Sequence, residues 1–160
     1  MSEAAVKLEM TTRIEPLEEG QSLEKWRQTA KERILDELVS LLEADNRIGN
    51  RTKLLIDFVN RERKATTGIG DGIAIPHIRS KQAKEFMIAF ARSTEGYDFE
   101  SMDGEPVHMF FVMAAPPYDD DLYLRVFKCL AEKLQYEDFR QQLMDATNPG
   151  EIIRAIRSME

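Results

Sequence analysis

Residues 107–113, Val-His-Met-Phe-Phe-Val-Met, decide the fold class of this 160-residue chain. They form the centre of a strand predicted from Pro106 to Ala115, and all of them except His108 are apolar. A strand with one face in water alternates apolar and polar residues, whereas a strand covered on both faces is apolar throughout. The segment therefore predicts a strand inside a sheet that is covered on both sides.

Helical patterns flank this strand in both directions along the chain. Upstream, apolar residues at steps of three and four predict a helix with Ser22 as its N-cap and an end near Asp45-Asn46, and a second helix from about Asn50 to Arg63. After Pro116-Pro117 the helical period returns three times. The order of helices, strands and helices predicts a single α/β domain, a small mixed β-sheet flanked by α-helices on both faces.

The remaining segments set the domain limits. Residues 1–12 mix charged and apolar groups without a period, which predicts a loose N-terminal arm or an edge strand, and residues 13–158 are predicted to form the domain. Glu85 to Ala91 is predicted as a further strand, and Tyr97-Asp98-Phe99 as a short edge strand.

Composition excludes several classes of function. The net charge of −7 argues against a surface built for nucleic acid or anionic lipid. No stretch approaches the ~20 apolar residues of a spanning helix, so we expect a cytoplasmic protein without direct membrane insertion. One cysteine, Cys129, and two histidines exclude a Cys/His-rich zinc site. In an apolar helix, Cys129 is expected to be a small core residue.

His77 is the residue that the sequence singles out. It follows a glycine-rich segment predicted as a loop, residues 65–72, then the extended run Ile73-Ala74-Ile75 and Pro76. A dinucleotide-binding glycine motif would follow a strand and open a helix, but this segment follows a helix and opens a strand. A Walker loop is excluded because no Gly-Lys-Ser or Gly-Lys-Thr follows.

The residues around His77 suggest phosphoryl chemistry. The loop N–H groups, including those of Gly68 and Gly70, and the hydroxyls of Thr66 and Thr67 are predicted to face a phosphoryl group held at His77. Arg61, in the last turn of the second helix, would be its bidentate charge partner. Histidine as a covalent phosphoryl acceptor fits these parts. The alternative is a glycine loop that merely connects two elements and an arginine that only complements the helix dipole.

Arg61-Glu62 and the run Thr66-Thr67-Gly68-Ile69-Gly70-Asp71-Gly72-Ile73-Ala74-Ile75-Pro76-His77 resemble the signature of the fructose/mannitol-type (type 2) enzyme IIA domain of the bacterial sugar phosphotransferase system, including its nitrogen-regulatory branch. The resemblance covers residues 13–158 and includes Asp103-Gly104-Glu105-Pro106-Val107. It implies a phosphohistidine at His77, received from an HPr-type phosphocarrier protein and passed to a IIB domain or used as a signal to a regulatory target protein. It implies no cofactor and no metal.

Two positions depart from the family pattern. The family usually has a second, assisting histidine at the start of the helix after the Pro116 strand, where this chain has Tyr123. It also tends to place a small residue directly after the active histidine, where this chain has Ile78, whose bulk would narrow the approach of a partner. His108 is expected to be packed and hydrogen-bonded, because it shares a strand face with Phe110 and Val112.

These departures leave two alternatives open. One is a degenerate regulatory binding module of the same fold, which interacts with partner proteins without efficient transfer. The other is an anion or nucleotide sensor that uses the same loop without covalent chemistry. Asp119-Asp120-Asp121 is interpreted as a solvated N-terminal helix cap that would also attract a basic carrier surface.

Overall fold

The computed structural model describes residues 1–44, 47–119 and 121–158. Its helices are α1 (Leu23–Glu43), α2 (Arg51–Lys64), α3 (Leu122–Lys133), α4 (Glu137–Asp145) and α5 (Pro149–Arg157). Its strands are β1 (Val6–Lys7), β2 (Gly68–Gly70), β3 (Ile73–Ala74), β4 (His77–Arg79), β5 (Met87–Tyr97) and β6 (Val107–Ala115). Within the described residues, no helix has the length and apolar character needed to cross a bilayer.

The strands form one mixed sheet in the order β1-β5-β6-β3-β2. β5 and β6 are antiparallel, as are β2 and β3, whereas β1 runs parallel to β5. β3 and β4 both run parallel to β6, beside successive stretches of it. Together β3 and β4 therefore act as one interrupted strand, with residues 75–76 between them.

The central strand β6 divides the core into two halves. Phe110, Val112 and Ala114 belong to a cluster shared with α1 and α2. Met109, Phe111, Met113 and Ala115 belong to a second cluster shared with α3, α4 and α5. The prediction of a mixed sheet with helices on both faces is confirmed, and the alternation of side chains across one apolar strand is its physical cause.

Local sequence signals define where the first two helices begin. The Ser22 hydroxyl accepts a hydrogen bond from the Lys25 N–H at 3.3 Å, and the Asn50 side chain accepts one from the Lys53 N–H at 3.0 Å. Both side chains satisfy backbone donors that have no partner inside the helix. The predicted end of the first helix, Asp45-Asn46, lies outside the described residues.

Tertiary packing changes two of the predicted segments. Of the two alternatives for residues 1–12, the chain adopts the edge strand: Val6 and Lys7 pair with β5, and Met10 is buried. The predicted edge strand at residues 97–99 is wrong, because Tyr97 ends β5 and residues 98–99 lie outside any strand. Phe99 is instead fully buried, with its ring edge-on to Phe110 at 5.2 Å between centroids.

Candidate functional site

Residues 68–74 form a β-hairpin, so the prediction of a loop over residues 65–72 is wrong at residues 68–70, which form β2. β2 and β3 pair across a turn at Asp71-Gly72, where φ is 56° and 78°. Positive φ at both central residues is typical of a type I′ hairpin turn. At Gly68 a Cβ atom would lie 2.9 Å from the Cα of Ser101, so no larger residue fits there. The glycines of this segment indicate a backbone with many accessible conformations. The pairing of β2 with β3 selects the hairpin conformation from among them.

The sheet directs His77 toward α3. Ile73 and Ile75 contribute to the second core cluster, whereas Ile78 packs against the first. Because side chains alternate along an extended chain, His77 and Arg79 lie on the α3 face and Ile78 lies on the α2 face. Ile78, whose bulk is predicted to narrow the approach of a partner, therefore lies on the side of the site that faces α2.

The imidazole of His77 is half-buried and oriented by its own strand. Its Nδ1 lies 2.5 Å from the carbonyl oxygen of Ile75, which fits an Nδ1–H donor and leaves the lone pair on Nε2. The Phe127 ring packs 4.6 Å away and the Tyr123 ring 6.0 Å away, both between centroids. Burial lowers the pKa of His77 below its usual value, which favours the neutral imidazole.

Arg61 places its positive charge close enough to act on both His77 and Tyr123. Burial is the main cause of the lowered pKa of His77, and the Arg61 guanidinium lowers this pKa further, whereas the hydrogen bond to Ile75 raises it. The same guanidinium opposes the upward shift of the Tyr123 pKa. Its Nη1 donates to the carbonyl oxygen of Ala65 at 3.0 Å, which holds the side chain at the end of α2. Among the described residues Arg61 forms no ion pair, so its charge remains available to an anion.

The two threonines hold the hairpin in place. The Thr66 hydroxyl donates to the carbonyl oxygen of Phe99 at 3.1 Å, and the Thr67 hydroxyl donates to Glu62 Oε2 at 2.7 Å. Glu62 also accepts from the Thr67 N–H and lies 3.5 Å from the Lys31 ammonium group. To donate to a phosphoryl group, as the sequence predicts, the two hydroxyls would have to break their hydrogen bonds to Phe99 and Glu62.

Tyr123 and Arg79 form a pair that sequence reasoning did not foresee. Tyr123 is 7% exposed at the start of α3, and the Arg79 guanidinium carbon lies 5.1 Å from the centre of its ring. This is a cation–π contact. Burial raises the pKa of Tyr123, so its hydroxyl keeps its proton and stays a hydrogen-bond donor. Strand alternation from His77 was the one signal that could have identified Arg79, and helical spacing from Tyr123 could have identified Phe127.

The sequence also singled out His108, Cys129 and the acidic run before α3. His108 is packed as predicted: its Nδ1 lies 3.0 Å from the carbonyl oxygen of Ser93, and its ring fills the space where a Cβ on Gly96 would be. Cys129 is half-buried rather than a core residue. Asp121 occupies the N-cap position of α3 but accepts no capping hydrogen bond, and Asp120 lies outside the described residues. Across the described residues, no three His, Cys, Asp or Glu side chains are grouped to hold a metal.

The fold and the site together define a class of protein: a mixed α/β domain that presents a neutral histidine to the surface between an arginine and an aromatic helix end. The chain belongs to the phosphoenolpyruvate-dependent sugar phosphotransferase system EIIA 2 family, whose model matches residues 22–159. The family resemblance inferred from residues 61–77 is therefore confirmed.

Relatives in this family include sugar-specific and regulatory proteins. The chain is 37% identical over 116 residues to a fructose-specific EIIA component of Haloferax volcanii, covering 72% of this chain and 75% of that protein. It is 37% identical over 126 residues to a fructose-specific EIIABC component of Bacillus subtilis, covering 79% of this chain but only 20% of that longer protein. It is 29% identical over 127 residues to a nitrogen regulatory protein of Pseudomonas aeruginosa, covering 79% and 82%.

Solved structures share the whole architecture. Nitrogen regulatory protein IIA-Ntr from Neisseria meningitidis superposes with a TM-score of 0.80 at 26% identity, covering 97% of this chain and 94% of that one. The Escherichia coli complex of enzyme IIA mannitol with phosphorylated enzyme IIB matches with a TM-score of 0.75 at 16% identity, covering 99% and 97%. The second likeness concerns the fold alone.

Proposed function

We propose that this protein accepts a phosphoryl group on Nε2 of His77 from a histidine-phosphorylated HPr-type carrier, and passes it to a IIB domain or keeps it as a regulatory signal. The observation that carries the proposal is the state of His77: burial keeps the imidazole neutral, and the Ile75 carbonyl orients it with Nε2 free. A neutral nitrogen with a fixed lone pair is the nucleophile that this transfer needs.

The transfer requires little beyond positioning and charge. The Nε2 lone pair of His77 forms a bond to phosphorus while the bond between phosphorus and the carrier's imidazole nitrogen breaks, and that imidazole leaves with the electron pair. The Nδ1–H of His77 donates to Ile75 as the ring becomes positive. Arg61 is the proposed charge partner of the phosphoryl oxygens, since its planar guanidinium can hold two of them. Positioning and charge stabilisation are the usual sources of catalysis in phosphoryl transfer.

Tyr123 favours a second candidate function. Where the family resemblance predicts an assisting histidine, this chain offers one neutral hydroxyl donor beneath Arg79. A tyrosine cannot become positive as the phosphoryl group moves, so transfer away from His77 would be slow. In that case the protein would act as a regulatory module whose phosphorylation changes what it binds. One relative is named a nitrogen regulatory protein, which agrees with such a role.

Intact-mass spectrometry tests both functions. Phosphoenolpyruvate and the general carrier proteins should add one phosphoryl group, about 80 Da, to the parent chain and none to His77→Ala; this modification brings a charge of about −1.5 to −2. Acid-labile label on His77 that then moves to a IIB domain supports transfer, and label that persists supports the regulatory role. Phosphate that still appears in His77→Ala would refute the assignment of the acceptor.

A further inference from the structure

A cleft of about 650 Å³ lies between α2 and the chain that follows His77. Its positive side chains are Lys53, Arg61 and Lys64 from α2, with Arg79 and Lys81 from β4 and beyond. Arg61 and Arg79 also border the His77 site, so the cleft is continuous with it.

The charge of this cleft opposes the charge of the whole chain. Among the described residues, five cations and one carboxylate line the cleft, and that carboxylate, Asp57, accepts a hydrogen bond from the Ser80 hydroxyl at 2.6 Å. The chain as a whole carries −7. Lys53, Lys64 and Lys81 pair with no carboxylate of the described residues, although many other cations of the chain do, such as Arg51 with Asp36 and Glu43. A cluster of like charges repels itself and attracts an anionic surface.

The lining of the cleft also contains apolar residues. Ile56 is 50% exposed, and Ile78 and Pro117 line the cleft together with the cations. A mixture of exposed apolar and charged residues is usual in a protein–protein interface. Small-molecule sites are instead enclosed and mostly apolar, whereas Lys53, Lys64 and Lys81 here are exposed.

We infer that the cleft is the docking surface for a protein partner that presents carboxylates toward α2 as its active histidine approaches His77. This inference rests on the proposed function, under which that partner is the HPr-type carrier that donates the phosphoryl group. Charge complementarity at the rim of an interface speeds association and fixes orientation. The cleft would then select which carrier proteins reach His77.

The test measures binding of two unphosphorylated forms of an HPr-type carrier by titration calorimetry. One form carries glutamates beside its active histidine, and the other carries lysines at the same positions. The double variant Lys53→Gln/Lys64→Gln removes two cleft charges. The variant Lys25→Gln/Arg33→Gln removes two exposed cations of α1 that do not line the cleft, and it is the matched control.

The glutamate form should bind the parent more tightly than the lysine form does. Its affinity should fall about tenfold in the cleft variant at low salt, should change less than twofold in the control, and the difference should shrink at high salt. Tighter binding of the lysine form, equal loss in both variants, or no binding of the glutamate form would overturn the inference. Saturable binding of pyrophosphate that the cleft variant loses would assign the cleft to small anions instead.

The same experiment separates this inference from the proposed function. His77→Ala should still bind the glutamate form, because binding needs no phosphoryl transfer. If binding depends on the cleft but the parent is never phosphorylated, only the proposed function fails. If phosphorylation proceeds equally in the parent and the cleft variant and binding is also equal, only the docking inference fails.

Discussion

The ring of Tyr123 lies 6.0 Å from the imidazole of His77, measured between centroids, with the two planes tilted by 48°. A side chain from the first turn of α3 is thus adjacent to the proposed phosphoryl acceptor. Tyr123 is buried beneath Arg79 and keeps its proton. The chain has a neutral donor and a nearby guanidinium where the family resemblance predicts a second imidazole.

Tyr123→His should speed phosphoryl transfer from His77. A histidine can carry positive charge, and hydrogen bonds from charged donors are about twice as strong as those from neutral donors. The gain should be on the order of 1 kcal/mol, or about fivefold in rate, measured by rapid-quench transfer to and from a cognate carrier. Tyr123→Phe should be no faster than the parent. If Tyr123→His transfers no faster in either direction, the regulatory alternative loses its main support.

Arg61→Lys should slow phosphorylation of His77 by about tenfold, because a lysine cannot hold two phosphoryl oxygens at once. The stability of the fold should change by only about 0.5 kcal/mol, since the side chain is only half-buried at a helix end. Arg63→Lys is the control: Arg63 is in the same helical turn but pairs with Glu32 on the surface. Equal labelling rates for parent and Arg61→Lys would place Arg61 outside the site.

The labelling rate should stay constant as pH falls through ~6.5, the ordinary titration point of histidine. Burial lowers the pKa of His77, so the imidazole keeps its neutral, nucleophilic form below that pH. The lowered pKa also makes the stability of the fold depend on pH, because the unfolded chain takes up this proton at a higher pH than the folded chain does. The contribution of His77 to stability is therefore present above ~6.5 and is lost as the pH falls toward the lowered pKa. An NMR titration of His77 with its midpoint at or above 6.5 would contradict both expectations.

Thr67→Val should destabilise the fold by about 1–3 kcal/mol, because it leaves buried Glu62 without the hydroxyl donor that it has at 2.7 Å. Thr67 is 3% exposed, so water cannot replace that donor. Denaturant unfolding measures the loss, and Thr52→Val, an exposed change within α2, should cost far less. Equal stability of the two variants would mean that the contact between Glu62 and Thr67 contributes little.

Periodicity and composition were sufficient for much of this protein. The apolar run 107–113 predicts a strand covered on both faces, and the N-caps Ser22 and Asn50 predict where two helices begin. These signals are local, since they depend on residues a few positions apart. The segment from Arg61 to His77 also identifies the family, because its residue types and spacing are specific, and it predicts His77 as the reactive histidine.

Tertiary structure decided the surroundings of His77. Only the fold shows that residues 68–74 form a hairpin, that Phe99 is buried in the core, that the threonine hydroxyls are engaged by Phe99 and Glu62, and that Arg79 covers Tyr123. Two of these contacts join residues more than thirty positions apart, Thr66 with Phe99 and Arg79 with Tyr123. No local pattern encodes such contacts, because strand pairing and packing select them from many alternatives when the chain folds.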